Sequence, residues 1–272
     1  MRLVFTVNWK VLSALIAGFA SAVSARALPV EQGAAAVAGR ALGEYDKTVS
    51  MPSLPENVTV QYEKNPDDKT LEAAAELYIH LSKDEPTFVA AVSGRHDLAP
   101  LMARAVIRPL ALVSGELYTA KDAQGELVGF TIWAPPGRSA FDTPEQLEMG
   151  FNEFLGHVDE EGRAFQMRVN GEVVPKFLKE SLGMENAELD CYFCWFAMVR
   201  EDYQRKGVCG ALFDLTYEKA KATGATLALL TGTESNVAVY EKLGFKERGR
   251  QKFESPWTEW TFYCMARDAS KE

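Results

Sequence analysis

Histidine and cysteine are scarce in this chain: three and four residues among 272. That leaves little material for a metal centre or a disulfide framework. His80, His96 and His157 show no ligand spacing. Cys191 and Cys194 form a C-x-x-C pair, but they lie in an apolar run from Cys191 to Val199 that reads as a buried strand. Residues three apart on a strand face opposite sides, so the two thiols cannot share an ion without a bulge. Buried free thiols and no metal site are therefore expected. Positive charge is also short: 29 Lys and Arg stand against 38 Asp and Glu, a net charge of −9. A nucleic-acid surface needs clustered basic residues, so no nucleic-acid partner is expected. The balance is compatible with a cationic substrate. No internal repeat is visible. What is present is ordinary for a globular protein: 47% apolar and 25% charged residues, enough for one sizeable domain or two small ones.

The first fifty residues stand apart. Arg2 and Lys10 precede an uncharged stretch from Val11 to Ala25. As a helix it would reach about 22 Å, against about 30 Å of hydrocarbon, so a stable membrane span is not expected. Three readings remain open. Small residues around Ala22 and Ala25 suit a secretory signal; Arg2, Lys10 and Arg26 ahead of the first acid, Glu31, suit a mitochondrial presequence. The third is an upstream extension, because Met51 directly precedes the first credible strand. The expected division is thus a leader or extension over 1–50 and a folded domain over 51–272.

Along that domain, residues 58–62 alternate as a strand, and Lys69 to Leu81 carries apolar residues on one helical face. Asp84, Glu85 and Pro86 read as the end of that helix. A second helix is expected over 96–106. Strands at 114–121 and 126–134 flank a hairpin loop at 122–125. Residues 136–187 carry charge and helical patches at 144–155 and 173–182 without strand signal, which predicts a helical insertion between core strands. Order then becomes regular: a strand at 189–199, a helix at 207–223 closed by Gly224, a strand at 226–230, a short helix at 236–243 closed by Gly244, and strands at 245–253 and 257–266. Mixed elements in this order give an α/β (α+β) sheet domain.

The most informative stretch runs from Ala197 to Leu212. A buried strand leads through the polar turn Arg200 to Lys206 into a helix that starts at Gly207. A helix start leaves first-turn amides without intrahelical partners and carries partial positive charge. Glycine lets a ligand approach the backbone. Residues Gln204, Arg205, Lys206, Gly207, Val208, Cys209 and Gly210 therefore suit a pyrophosphate held by main-chain bonds. The basic pair Arg205 and Lys206 reads equally well as solvated turn residues. One strand later comes Asn236, then Tyr240 on the same helical face, then Gly244 and Phe245.

With these motifs the chain resembles the GNAT superfamily of acetyl-CoA-dependent N-acetyltransferases, specifically over 189–245 and loosely over 58–266. Gln204 to Cys209 matches the family's Q/R-x-x-G-x-G/A loop, with Cys209 in place of the final Gly or Ala and Gly210 following. The resemblance implies a mixed, mostly antiparallel central sheet flanked by helices. It implies acetyl-CoA as co-substrate and direct transfer of the acetyl group to a primary amine, without an acyl-enzyme. By the same resemblance, Met198 and Val199 pair their backbone with the pantetheine arm in a slot beside the strand at 226–231. Asn236 then bonds the cofactor, and Tyr240 protonates the departing thiolate; packing under the sheet is the plain alternative for Tyr240. For the base, Glu188 and Asp190 at the entry to the 189–199 strand are candidates, against a role as solvated strand-entry acids. An intracellular metabolite as co-substrate implies a cytoplasmic protein, at odds with the signal-like leader. A catalytically silent acyl-CoA-binding or sensor protein is the competing reading. The acceptor amine carries no motif.

Overall fold

A computed structural model describes residues 53–271. The expectations placed on residues 1–50 lie outside them. The core is one seven-stranded sheet of β1 (Thr59–Glu63), β2 (Glu116–Lys121), β3 (Leu127–Ala134), β4 (Tyr192–Val199), β5 (Thr226–Thr231), β6 (Lys246–Glu254) and β7 (Glu259–Asp268). The spatial order is β1-β2-β3-β4-β5-β7-β6. Every neighbouring pair is antiparallel except β4 and β5. The mixed, mostly antiparallel sheet is thus as expected.

Helices cover both faces. One face carries α1 (Asp68–Ser82), α2 (Pro86–Ala91), α3 (Ala99–Pro109), α4 (Asn152–His157), α5 (Glu160–Arg168), α6 (Val174–Leu182) and the single turn α7 (Ala187–Asp190). The other carries α8 (Val208–Thr223) and α9 (Glu234–Lys242). Helix α1 starts where the Asp67 carboxylate accepts the Thr70 amide at 2.8 Å, a side-chain N-cap. It buries Leu71, Ala74, Leu77, Tyr78 and Leu81, the stripe its spacing predicts.

Helices α4 to α7 lie between β3 and β4, and several elements differ in detail from the sequence reading. The segment expected as one helix over 144–155 breaks at Gly150, whose φ of 122° no other residue adopts cheaply. Helix α5 was not legible, because it buries only Gly162, Phe165 and Gln166 and so shows almost no apolar period. Helix α2 begins at the proline that read as a terminator: Pro86 has no amide to lose at the first helical position. The strand expected from 189 also starts later, at Tyr192. Ahead of it, Asp190 accepts the Asn186 amide at 3.2 Å and closes the turn α7.

Candidate active site

The sheet opens where its one parallel pair ends. Strand β4 meets β5 only at Tyr192–Leu227, Phe193–Ala228 and Cys194–Leu229. Past those pairs the two strands part, leaving a notch bounded by the Trp195–Val199 half of β4. A bulge coincides with the parting. On the β3 side Ile132 faces Phe196 while Trp133 faces Cys194, so Trp195 is the extra residue. Trp195 and Phe196 then both enter the α1 face, whereas Cys194 and Ala197 point to the α8 face.

The bulge and the register decide which main-chain groups reach the notch. The Arg200 amide donates to the Val128 carbonyl at 2.9 Å. Antiparallel pairing alternates, so Met198 likewise turns its amide and carbonyl to Phe130. Ala197 and Val199 turn theirs toward the notch. The Met198 backbone, for which a pantetheine contact is expected from sequence, thus faces β3 here, while Ala197 and Val199 border the notch. The Val199 carbonyl already accepts the Gln204 side-chain amide at 2.9 Å. Gln204 is therefore a strut between the strand end and the loop.

The loop from Gln204 to Gly210 has the shape its sequence suggests. Arg205 sits at φ 61° and Gly207 at φ 73°, two left-handed residues that curl the chain into the start of α8. Left-handed residues of this kind turn successive amides toward one concave side. The Ala211 amide closes the first turn onto the Gly207 carbonyl at 3.0 Å. Val208 is buried under β3, while Lys206 is exposed and holds its ammonium 5.5 Å from the Tyr203 ring centre. Arg200 stacks on the same ring at 4.8 Å and pairs with Asp202 at 2.7 Å. A local basic rim thus sits on a protein of negative net charge.

Tyr240 is fully buried on α9, with ring centres of Phe213 and Phe245 at 5.8 and 6.1 Å. Its hydroxyl has no hydrogen-bond partner among the described residues. Burial drives its pKa well above the usual phenol value, helped by the neighbouring Cys209, Cys194 and Glu85. A buried hydroxyl left unsatisfied costs roughly 1–3 kcal/mol, so its persistence in a packed core is notable for function. Asn236, one turn earlier, is buried and donates to Thr231 Oγ1 at 3.4 Å, at the end of β5.

Among the described residues no group of three or more His, Cys, Asp or Glu side chains is placed to hold a metal ion. Cys191 lies in the α1-side core and Cys194 in the α8-side core, on opposite faces of β4. Their thiols donate to the carbonyls of Ala187 and Phe196, and burial pushes both pKa values well up. Cys209, half-buried in the first turn of α8, is also pushed up by burial, which keeps it a neutral thiol.

The two acids favoured from sequence do not reach the notch. Glu188 and Asp190 lie on α7, before the closed end of β4. Six residues of strand separate Asp190 from Phe196, about 20 Å. Sequence reasoning missed a different acid. Glu85 heads α2, and Thr233 Oγ1, just past β5, donates to its carboxylate at 3.4 Å. Its charge raises the pKa of both Tyr78 and Tyr240, after the larger effect of burial. Beside it, the backbone of Gly232 lies so close to Thr87 that a Cβ there would meet Thr87 Cγ2 at 2.5 Å. The only signal in the sequence was an acid directly before a helix-starting proline.

A parted strand pair, an amide-lined helix start and a buried lone hydroxyl suit a linear thioester with an anionic tail, and acetyl-CoA has that form. The comparisons agree in class. The chain belongs to the GNAT acetyltransferase family: the model described as "Acetyltransferase (GNAT) family" matches residues 98–245. No curated protein matches the chain. Among solved structures, a "histone acetyltransferase HPA2 and related acetyltransferase" from Corynebacterium glutamicum is 17% identical with a TM-score of 0.50, covering 78% of this chain and 96% of its own. Arylalkylamine N-acetyltransferase 2 from Aedes aegypti is 14% identical at a TM-score of 0.49, covering 79% and 100%. Ribosomal-protein-S18-alanine N-acetyltransferase from Escherichia coli is 15% identical at 0.45, covering 79% and 96%. At such identities the likeness concerns the fold. Among the described residues no helix is long and apolar enough to cross a membrane.

Proposed function

We propose that this protein transfers an acetyl group from acetyl-CoA directly to a primary amine. The family uses this co-substrate, which supplies a thioester carbonyl to be attacked and a thiolate to leave. The observation that carries the reading is Tyr240: a buried hydroxyl without a partner, beside the notch and next to Cys194 and Cys209.

The residues divide the work. Main-chain amides at the start of α8, with Arg205 and Lys206 at the rim, bind the pyrophosphate. Ala197 and Val199 present their free strand edge to the pantetheine amides, in place of the missing β5 partner. Asn236 orients the arm from the first turn of α9. Glu85 accepts a proton from the incoming ammonium, whose pKa of about 10.4 would otherwise keep its lone pair occupied. The amine nitrogen then bonds to the acetyl carbon as the carbon–sulfur bond breaks. Tyr240 gives its proton to the sulfur, and the second proton that the nitrogen sheds as the amide forms restores the phenol. Burial that holds the phenol neutral acts equally on a thiolate formed beside it, so their proton affinities rise together. The position of Glu85 supports it as the base over Glu188 and Asp190. The raised pKa of Cys209 speaks against an acyl-enzyme.

Calorimetry with coenzyme A and a thiol-release assay with acetyl-CoA against an amine panel test this. Micromolar binding and amine-dependent thiol release are expected. Binding with no turnover on any amine would return the acyl-CoA-sensor reading; no binding would end both.

A further inference from the structure

The α1 face of the sheet holds a cavity that the transfer chemistry does not use. It opens among α2, α3, the insertion and β7, with a volume of about 40 Å³ behind an open mouth. Met102, Phe151, Phe154, Phe165, Trp260 and Phe262 form most of its wall. No lining residue is ionisable. Its two amides are used structurally: Gln166 Nε2 donates to the Ala90 and Ala91 carbonyls at 2.9 and 3.0 Å, and Asn170 Nδ2 donates to Gln166 Oε1 at 2.9 Å. These bonds pin the insertion to α2 and keep the cavity open rather than collapsed. Trp260 adds an indole N–H that is buried without a partner among the described residues.

The cavity adjoins the notch. Thr87 belongs to its wall and packs on Gly232 at the end of β5. Glu85, two residues earlier, bonds Thr233. An amine nitrogen at Glu85 therefore has the cavity mouth beside it, on the sheet face opposite α8 and α9.

We infer that this cavity receives the body of the acceptor, and that the acceptor is a primary amine on a compact apolar or aromatic body. The inference rests on the proposed function. A cation attracts no wall group here, so polyamines and basic peptides gain nothing from the cavity, and a second ammonium inside it would be buried unpaired. An aryl or branched alkyl body instead removes its apolar surface from water against five aromatic side chains of the insertion and β7.

The test uses the wild-type chain first. In thiol release with acetyl-CoA, a series of alkylamines should gain about fourfold in kcat/KM per added methylene until the cavity fills, at about 0.8 kcal/mol per buried CH₂. Phenethylamine should exceed spermidine and a lysine peptide by at least tenfold. A flat series, or spermidine as the best acceptor, overturns the inference while leaving acetyl transfer intact. Coenzyme A calorimetry keeps the two readings apart, since failure there would end the proposed function itself. Ala91→Phe, a half-buried wall position, then fills the mouth. It should raise KM for phenethylamine at least tenfold with coenzyme A affinity and methylamine turnover unchanged. Unchanged KM in a folded variant would also overturn the inference.

Discussion

The two faces of the sheet are assembled from different distances along the chain. The α8 and α9 face comes from one continuous stretch, and the groups proposed to hold the cofactor there are mainly backbone. The opposite face gathers α1 to α3 and the insertion, segments that span residues 68 to 190. Its groups are side chains: a carboxylate at Glu85 and an aromatic cavity wall. Backbone geometry follows from a few local residues. Side-chain walls depend on which helices pack together, so the second face is free to differ. In the proposed reading, a donor site on one face and an acceptor site on the other meet across one notch.

Three substitutions sharpen this contrast. The largest effect is expected from Tyr240→Phe. Losing a positioned proton donor should lower kcat by about 10² to 10⁴. Coenzyme A affinity should hold, and the melting temperature should stay level or rise, because the hydroxyl removed has no partner. A clear fall in melting temperature would make Tyr240 structural instead. Next, Gly207→Val strains a left-handed position by roughly 1–2 kcal/mol. About tenfold weaker coenzyme A binding is expected by calorimetry. Weaker amine binding at unchanged coenzyme A affinity would break the assignment of faces. The smallest effect belongs to a control at the sheet edge. Burial acts to raise the Glu63 carboxyl, but bonds from Lys121, Gln61 and Thr119 hold it below its ordinary value. A depressed carboxylate stabilises above its unfolded pKa, and that stability is lost as pH falls through the folded value. Lys121→Met should cost less than about 1 kcal/mol at pH 7 in urea melts, with the difference fading in acid. Both substrate affinities should be untouched.

The loop at Gln204–Gly210 and the α9 pair Asn236 and Tyr240 were legible because their spacing is local. A strand, a turn of fixed length and a glycine at the helix start leave little choice of geometry. The insertion was legible only as a region. Its weakly amphipathic α5 and the kink at Gly150 blurred the helical period. The acids differ from expectation in where they sit, for a related reason. Glu188 and Asp190 are near β4 in sequence but sit at its closed end, whereas Glu85 looked like a helix terminator.

By itself the sequence determined the order of strands and helices, the shape of the loop at Gln204–Gly210 and the place of Tyr240 on its helix, since each depends on neighbours a few residues away. Only the tertiary structure decided where β4 and β5 part, that Met198 faces β3, and that Glu85 stands beside Thr233, 148 residues along the chain. Those features arise from strand register and helix packing, which bring distant residues together through contacts that no local pattern encodes.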